Sequence, residues 1–226
     1  MLNMRVSKIR WHACAGIALG PIHFLIAILA ILAAVVAASA NRTTFTANND
    51  SAKVMAQTII QESEQVLNTV QLLMSHGCDE TQLNFYALSN GQTIYANSSA
   101  PTDGHCNVFD PRGGNMIYTI LPNKACAAGL NTCIWDVSSG NVIPGVGTGA
   151  PQPIWIAFYL DSTVCDQINA QLGRATNTTV SPIGDYGYPG TFTPSTTLNA
   201  VYTGVTAACL KQNSVDNIFY RVLWTR

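Results

Sequence analysis

The spacing of apolar and polar positions divides the chain near residue 41 and again at Gly77. From Trp11 to Asn41 there is no formally charged side chain, and Ile22 to Ala40 is almost wholly apolar. A bilayer core takes about 20 such residues as helix, and this run has that length. The pattern then turns amphipathic. Ala52, Ala56, Ile59, Ser63, Val66, Val70 and Leu73 recur at three- and four-residue spacing, which puts them on one helix face. Gln57, Gln61, Glu64, Asn68 and Gln71 fall largely elsewhere. Neither glycine nor proline interrupts the 55 residues between Pro21 and Gly77, and Gly77 is a natural cap after His76. The expectation is one long helix from Ile22 to about His76, about 80 Å if continuous. Its weak link is the Thr- and Asn-rich stretch from Asn41 to Ser51, where helix propensity is poor.

Beyond Gly77 the texture changes, with 24 Gly or Pro among the last 150 residues. Short β-prone runs lie between these breakers: Leu83–Leu88, Gln92–Tyr95, Met116–Leu121, Thr132–Val137, Ile154–Leu160, Ala200–Val205 and Ile218–Trp224. One late helix interrupts them. Asp161 or Ser162 caps it, Val164, Ile168 and Leu172 share a face, and Gly173 closes it. The predicted class is α+β: a long N-terminal helix, membrane-spanning in its first half and amphipathic in its second, packed on an antiparallel β-sheet. Three regions follow: a basic leader or cytoplasmic segment at 1–20, a transmembrane helix with a polar extension at 21–50, and an extracytoplasmic domain at 51–226.

Charge orients this arrangement. Arg5, Lys8 and Arg10 precede the apolar run, and all twelve acidic residues follow it. That asymmetry predicts a single-pass inner-membrane protein with its N-terminus cytoplasmic and its C-terminal domain periplasmic or extracellular. The lipid bilayer is then the first expected partner. Cleavage after Ala38-Ser39-Ala40 by signal peptidase is a competing reading, since that tripeptide fits the small-x-small pattern; an uncleaved anchor is another. From Asn41 onward eight basic residues face twelve acidic ones, so no basic surface suits nucleic acid.

Seven cysteines divide into Cys14, before the apolar run, and Cys78, Cys106, Cys126, Cys133, Cys165 and Cys209 after it. An even number in an exported domain suggests disulfides. Six cysteines allow fifteen connectivities and the sequence does not choose among them; nearest-neighbour pairing is our working expectation. His76, Cys78, His105 and Cys106 have the chemistry of metal ligands, but there is no paired CxxC. Adjacent His105 and Cys106 also chelate one tetrahedral ion poorly. No metal and no other cofactor is expected.

Nor is an enzyme expected. The chain lacks GxSxG, HExxH, GxxxxGK[ST] and a GxGxxG after a strand. Gly145-Val146-Gly147-Thr148-Gly149 resembles a phosphate cradle but lacks the following helix and lysine, so it reads as a loop. Glu62 and Glu64 sit two apart on a helix and diverge. Asp103 and Asp110 do not have calcium-loop spacing. Sequons at Asn41, Asn49, Asn97 and Asn177 matter only in a eukaryotic host. Trp135, Trp155, Tyr186, Tyr188 and Trp224 offer either core residues or a binding platform for a glycan or peptide. Tyr186 and Tyr188, in a Gly/Pro loop, are the surface candidates.

A family resemblance gathers these pieces. Gly20, then Pro21-Ile22-His23-Phe24-Leu25-Ile26-Ala27 leading into a helix, resembles a prepilin start. Gly77-Cys78-Asp79-Glu80-Thr81-Gln82-Leu83-Asn84-Phe85 follows the helix. Next come Cys106-Asn107-Val108-Phe109-Asp110 with Gly113-Gly114, Cys165 with Ile168-Asn169 and Leu172-Gly173, and the ending Phe219-Tyr220-Arg221-Val222-Leu223 with Arg226. Together they resemble type IV pilin-like proteins, specifically a proteobacterial pilin-like family of uncertain role, nearly end to end. The resemblance implies a structural or accessory subunit of a surface filament or secretion pseudopilus, associating with sister subunits. Processing would fall between Gly20 and Pro21. Phe24, Leu25, Ile28, Leu29, Leu32, Val35 and Val36 would form the assembly helix. Such pilins usually carry a glutamate five residues into the mature helix; counted from Pro21 that position is Leu25. An accessory or tip subunit is therefore implied at least as readily as a major one.

Overall fold

A computed structural model describes residues 48–87, 96–130, 132–175, 181–184, 187–212 and 216–226. Its first described helix, α1, covers 48–75. Ala52, Ala56, Ile59, Ser63, Val66, Val70 and Leu73 are all buried, as the periodicity requires. Six of them join the core, and the Ser63 hydroxyl instead accepts the Arg221 Nε–H at 2.7 Å. Gly77 ends α1 at φ +97°. The Cys78 N–H donates to Leu73 O and the Gly77 N–H to Met74 O, both at 3.1 Å. This is a Schellman closure, which needs a residue that tolerates positive φ.

The sheet contains β1 (Ile134–Val142), β2 (Gln152–Leu160), β3 (Thr196–Thr197), β4 (Ala207–Lys211) and β5 (Asn217–Val222), in the order β3-β1-β2-β5-β4. β2 reads Gln-Pro-Ile-Trp-Ile-Ala-Phe-Tyr-Leu, an almost continuous apolar run, because both of its faces are covered. Trp155 and Ala157 pack in the core that includes α1, while Ile154, Ile156 and Phe158 enter a second core. Ile183, Leu198, Tyr202 and Val205 cover that second face.

The late helix, α2 (Ser162–Gln171), starts at Asp161, whose side chain accepts the Thr163 N–H at 2.8 Å. It guards the sheet's edge. The Asn169 amide donates to Cys209 O at 2.8 Å and accepts the Cys209 N–H at 2.9 Å, so one side chain satisfies both backbone groups of a β4 residue. An edge strand left open would be a template for another chain.

Several expectations are corrected. The sheet is mixed rather than antiparallel, since β3 runs parallel to β1. No long N-terminal apolar helix appears among the described residues: α1 is amphipathic and carries Asp50, Lys53, Glu62 and Glu64. No described helix is long and apolar enough to cross a membrane, which overturns the single-pass inner-membrane placement. The Ile22–Ala40 run on which it rested lies outside the described residues. So do Gly20, Pro21, Phe24, Leu25, Ile28, Leu29, Leu32, Val35 and Val36. Ala200–Val205 is not a strand. Asn199 accepts the Val201 N–H and turns the chain into a short 3-10 segment, and pairing begins at Ala207. Leu83–Leu88 reduces to one bridge, Asn84 with Asn107, among its described residues, and Met116–Leu121 forms no strand. Gln92–Tyr95 is outside the described residues.

Candidate functional site

Disulfides brace the domain at three junctions: Cys78–Cys106, Cys126–Cys133 and Cys165–Cys209. The pairing is nearest-neighbour. The first ties the end of α1 to the following loops, and the third ties α2 to β4. Ligand atoms of Cys78, His105 and Cys106 lie within 4.8 Å of one another. Both sulfurs are consumed in a disulfide, though, and zinc takes thiolates. His105 Nδ1 lies 2.6 Å from Asp103, so the cluster serves as a brace.

A cleft of about 750 Å³ opens among the described residues. One wall is Asn84, Tyr86 and Ala87; the opposite wall is Met116, Ile117 and Tyr118; Phe109, Asp110 and Arg112 also line it. Asparagine side chains build these walls by replacing strand pairing. Asn84 Oδ1 accepts the Tyr86 and Asn97 N–H groups, the Asn97 amide donates to Thr81 O and Leu83 O, and Asn107 Nδ2 donates to Tyr86 O. The Arg112 guanidinium, seconded by the Arg112 backbone N–H, lowers the Asp110 carboxyl to about 2. Gly114 lets this loop meet α1, since an added Cβ would collide with the Thr69 side chain and Val108 O.

Beside the cleft, two carboxyl groups titrate far from their usual range. Glu62 on α1 is pushed up to about 7 by burial; it accepts the Thr119 hydroxyl. The Trp135 indole N–H approaches it without reaching hydrogen-bond geometry, so that help is weak. Asp136 on β1 is pushed to about 7 by burial, opposed by the Val137 N–H. The two do not form an acid–base pair. Trp135 and Val137 face the α1 side, and strand alternation turns Asp136 to the other. Tyr118 feels both charges and is pushed to about 12, chiefly by burial. Glu64 diverges from Glu62 and reaches Arg221 at 3.4 Å.

Of the two readings of the aromatics, the described ones take the core reading. Tyr188, a surface candidate, is fully buried: its hydroxyl donates to Glu80 O and its ring packs on Phe85, Phe192 and Trp224. Trp135 and Trp155 stack in the core at 5.5 Å. Trp224 is partly buried and donates to Glu80 at 3.1 Å. Tyr186 is outside the described residues. Gly147 lies against Arg226 O, and the Thr148 N–H donates to that oxygen, so the glycine loop packs on the Arg226 backbone. The Asn97 sequon is blocked by burial of its amide. Arg226, which belongs to the ending that carries the resemblance, pairs with Glu80 at 2.9 Å and lies over Phe192 at 3.7 Å. No family model, curated protein or solved structure matches the chain.

Proposed function

We propose that this is an exported, non-enzymatic accessory subunit of a pilin-like assembly, working by association with sister subunits. The carrying observation is the two-sided character of α1. Its inner stripe is consumed by the core. Its outer face carries Val54, 56% exposed, and Leu72, 49% exposed. These two lie 18 residues apart, five turns on one line of the helix. Three disulfides support an oxidising destination outside the cytoplasm. Val54→Cys and Leu72→Cys variants, oxidised in cells, should cross-link to neighbouring subunits in sheared surface fractions. A monomeric product confined to the soluble fraction, with no cross-link, would refute this reading. A second reading, a secreted module that binds a glycan or peptide, is favoured by the cleft alone.

A further inference from the structure

We infer that the cleft walled by Met116–Tyr118 receives an extended peptide by strand addition. This rests on the binding-module reading and is independent of subunit assembly. The wall is extended backbone that belongs to no sheet. Ile117 is 80% exposed, and among the described residues Ile117, Tyr118 and Thr119 make no backbone–backbone hydrogen bond. β-branched and aromatic residues in an unpaired extended segment form an edge that another strand can extend.

The choice of a peptide over a sugar follows from which polar groups are free. A sugar needs planar amides and carboxylates facing it. Here Asn84, Asn97 and Asn107 spend theirs on the protein's own backbone. Asp110 and Arg112 face the cleft but pair with each other at 2.8 Å, so their charges call for no counter-charge on the occupant. What remains is main-chain hydrogen bonding on one wall, the rings of Tyr86, Phe109 and Tyr118, and the hydroxyls of Ser98 and Thr102. Among the described residues of the cleft one asparagine amide, that of Asn115, is uncommitted, which suits a peptide backbone and is too few for a sugar ring. That combination gives affinity through backbone pairing and side-chain preference through alternate positions. The occupant is therefore an uncharged, extended segment with apolar alternate residues.

The test is calorimetric titration of the whole, disulfide-intact protein with a capped hexapeptide of alternating valine and threonine, and with its counterpart N-methylated at alternate amides. The parent peptide should bind and the methylated one should not. Ile117→Pro removes one donor from a residue that is already extended and exposed, and it should weaken binding about tenfold if pairing is lost on both sides of it. Ile117→Thr keeps the amide and should bind as the unaltered protein does. Equal binding of both peptides, or equal loss in the Pro and Thr variants, would overturn strand addition. If the peptide fails at about 1 mM but chitohexaose binds and is lost in Tyr86→Ala, the cleft is a sugar site: this inference falls and the binding-module reading stands. If neither binds, both fall.

Discussion

Replacing Asp136 by Asn should stabilise the protein, and only above acidic pH. The side chain is 6% exposed on the middle strand-face of β1, opposite Ile156. Its carboxyl is raised from the usual 3.8 to about 7 by burial, against which the Val137 N–H stabilises the charge. A folded-state value above the unfolded one means that the native state holds the proton more tightly. The stability contribution is therefore whole below about pH 4 and is lost as pH rises through about 7. Three pH units correspond to about 4 kcal/mol; side-chain relaxation and water entry reduce the expected cost to about 1–3 kcal/mol at pH 8. Asn keeps the acceptor for Val137 and removes the charge. Urea unfolding with the disulfides intact, at pH 4, 6 and 8, should show the two proteins nearly equal at pH 4. The variant should gain steadily up to pH 8. Glu62→Gln should behave in the same direction with a smaller gain, because Glu62 is only half-buried. A destabilised Asp136→Asn at pH 8, or a gap that does not change with pH, would refute the reasoning.

Val70→Asp should destabilise the domain by about 3 kcal/mol or more, by placing a charge where α1 meets the core; thermal melts check it, and wild-type melting would mean that this face is not packed. Asn169→Ala strips both backbone partners from Cys209 and opens the β4 edge, at about 1–3 kcal/mol. Light scattering should then report association beyond that of the parent. Removing the Cys165–Cys209 bridge as a double alanine variant should cost about 2–4 kcal/mol, read from the urea midpoint.

The elements governed by local rules were the legible ones. The α1 face from Ala52 to Leu73 follows from a 3.6-residue period, because a helix can bury only one stripe on a sheet. Asp161 and Gly77 punctuate helices for reasons contained in their own side chains and φ angles. An even cysteine count outside the apolar run implied three bridges; which cysteines met required the α1 end, the 126–133 turn and the α2–β4 contact to be built.

Long-range geometry decided the rest. Nothing in the residues around Thr196 announces a parallel pair with β1, because strand pairing depends on partners that local propensity does not encode. Tyr188 sits in a loop composition that reads as surface, yet Trp224, 36 residues on, packs over it together with the neighbouring Phe192. Glu62 and Asp136 look like ordinary solvated acids one at a time. Their raised pKa values arise only when helix and sheet take water away from them. The cleft wall from Asn84 to Ala87 is held by three asparagine side chains that bond to the backbone at Thr81, Leu83, Tyr86 and Asn97. Periodicity and capping are set within a few residues along the chain, so the sequence alone determined them. Burial, electrostatics and the unpaired edge depend on segments dozens of residues apart, so only the tertiary structure decided those.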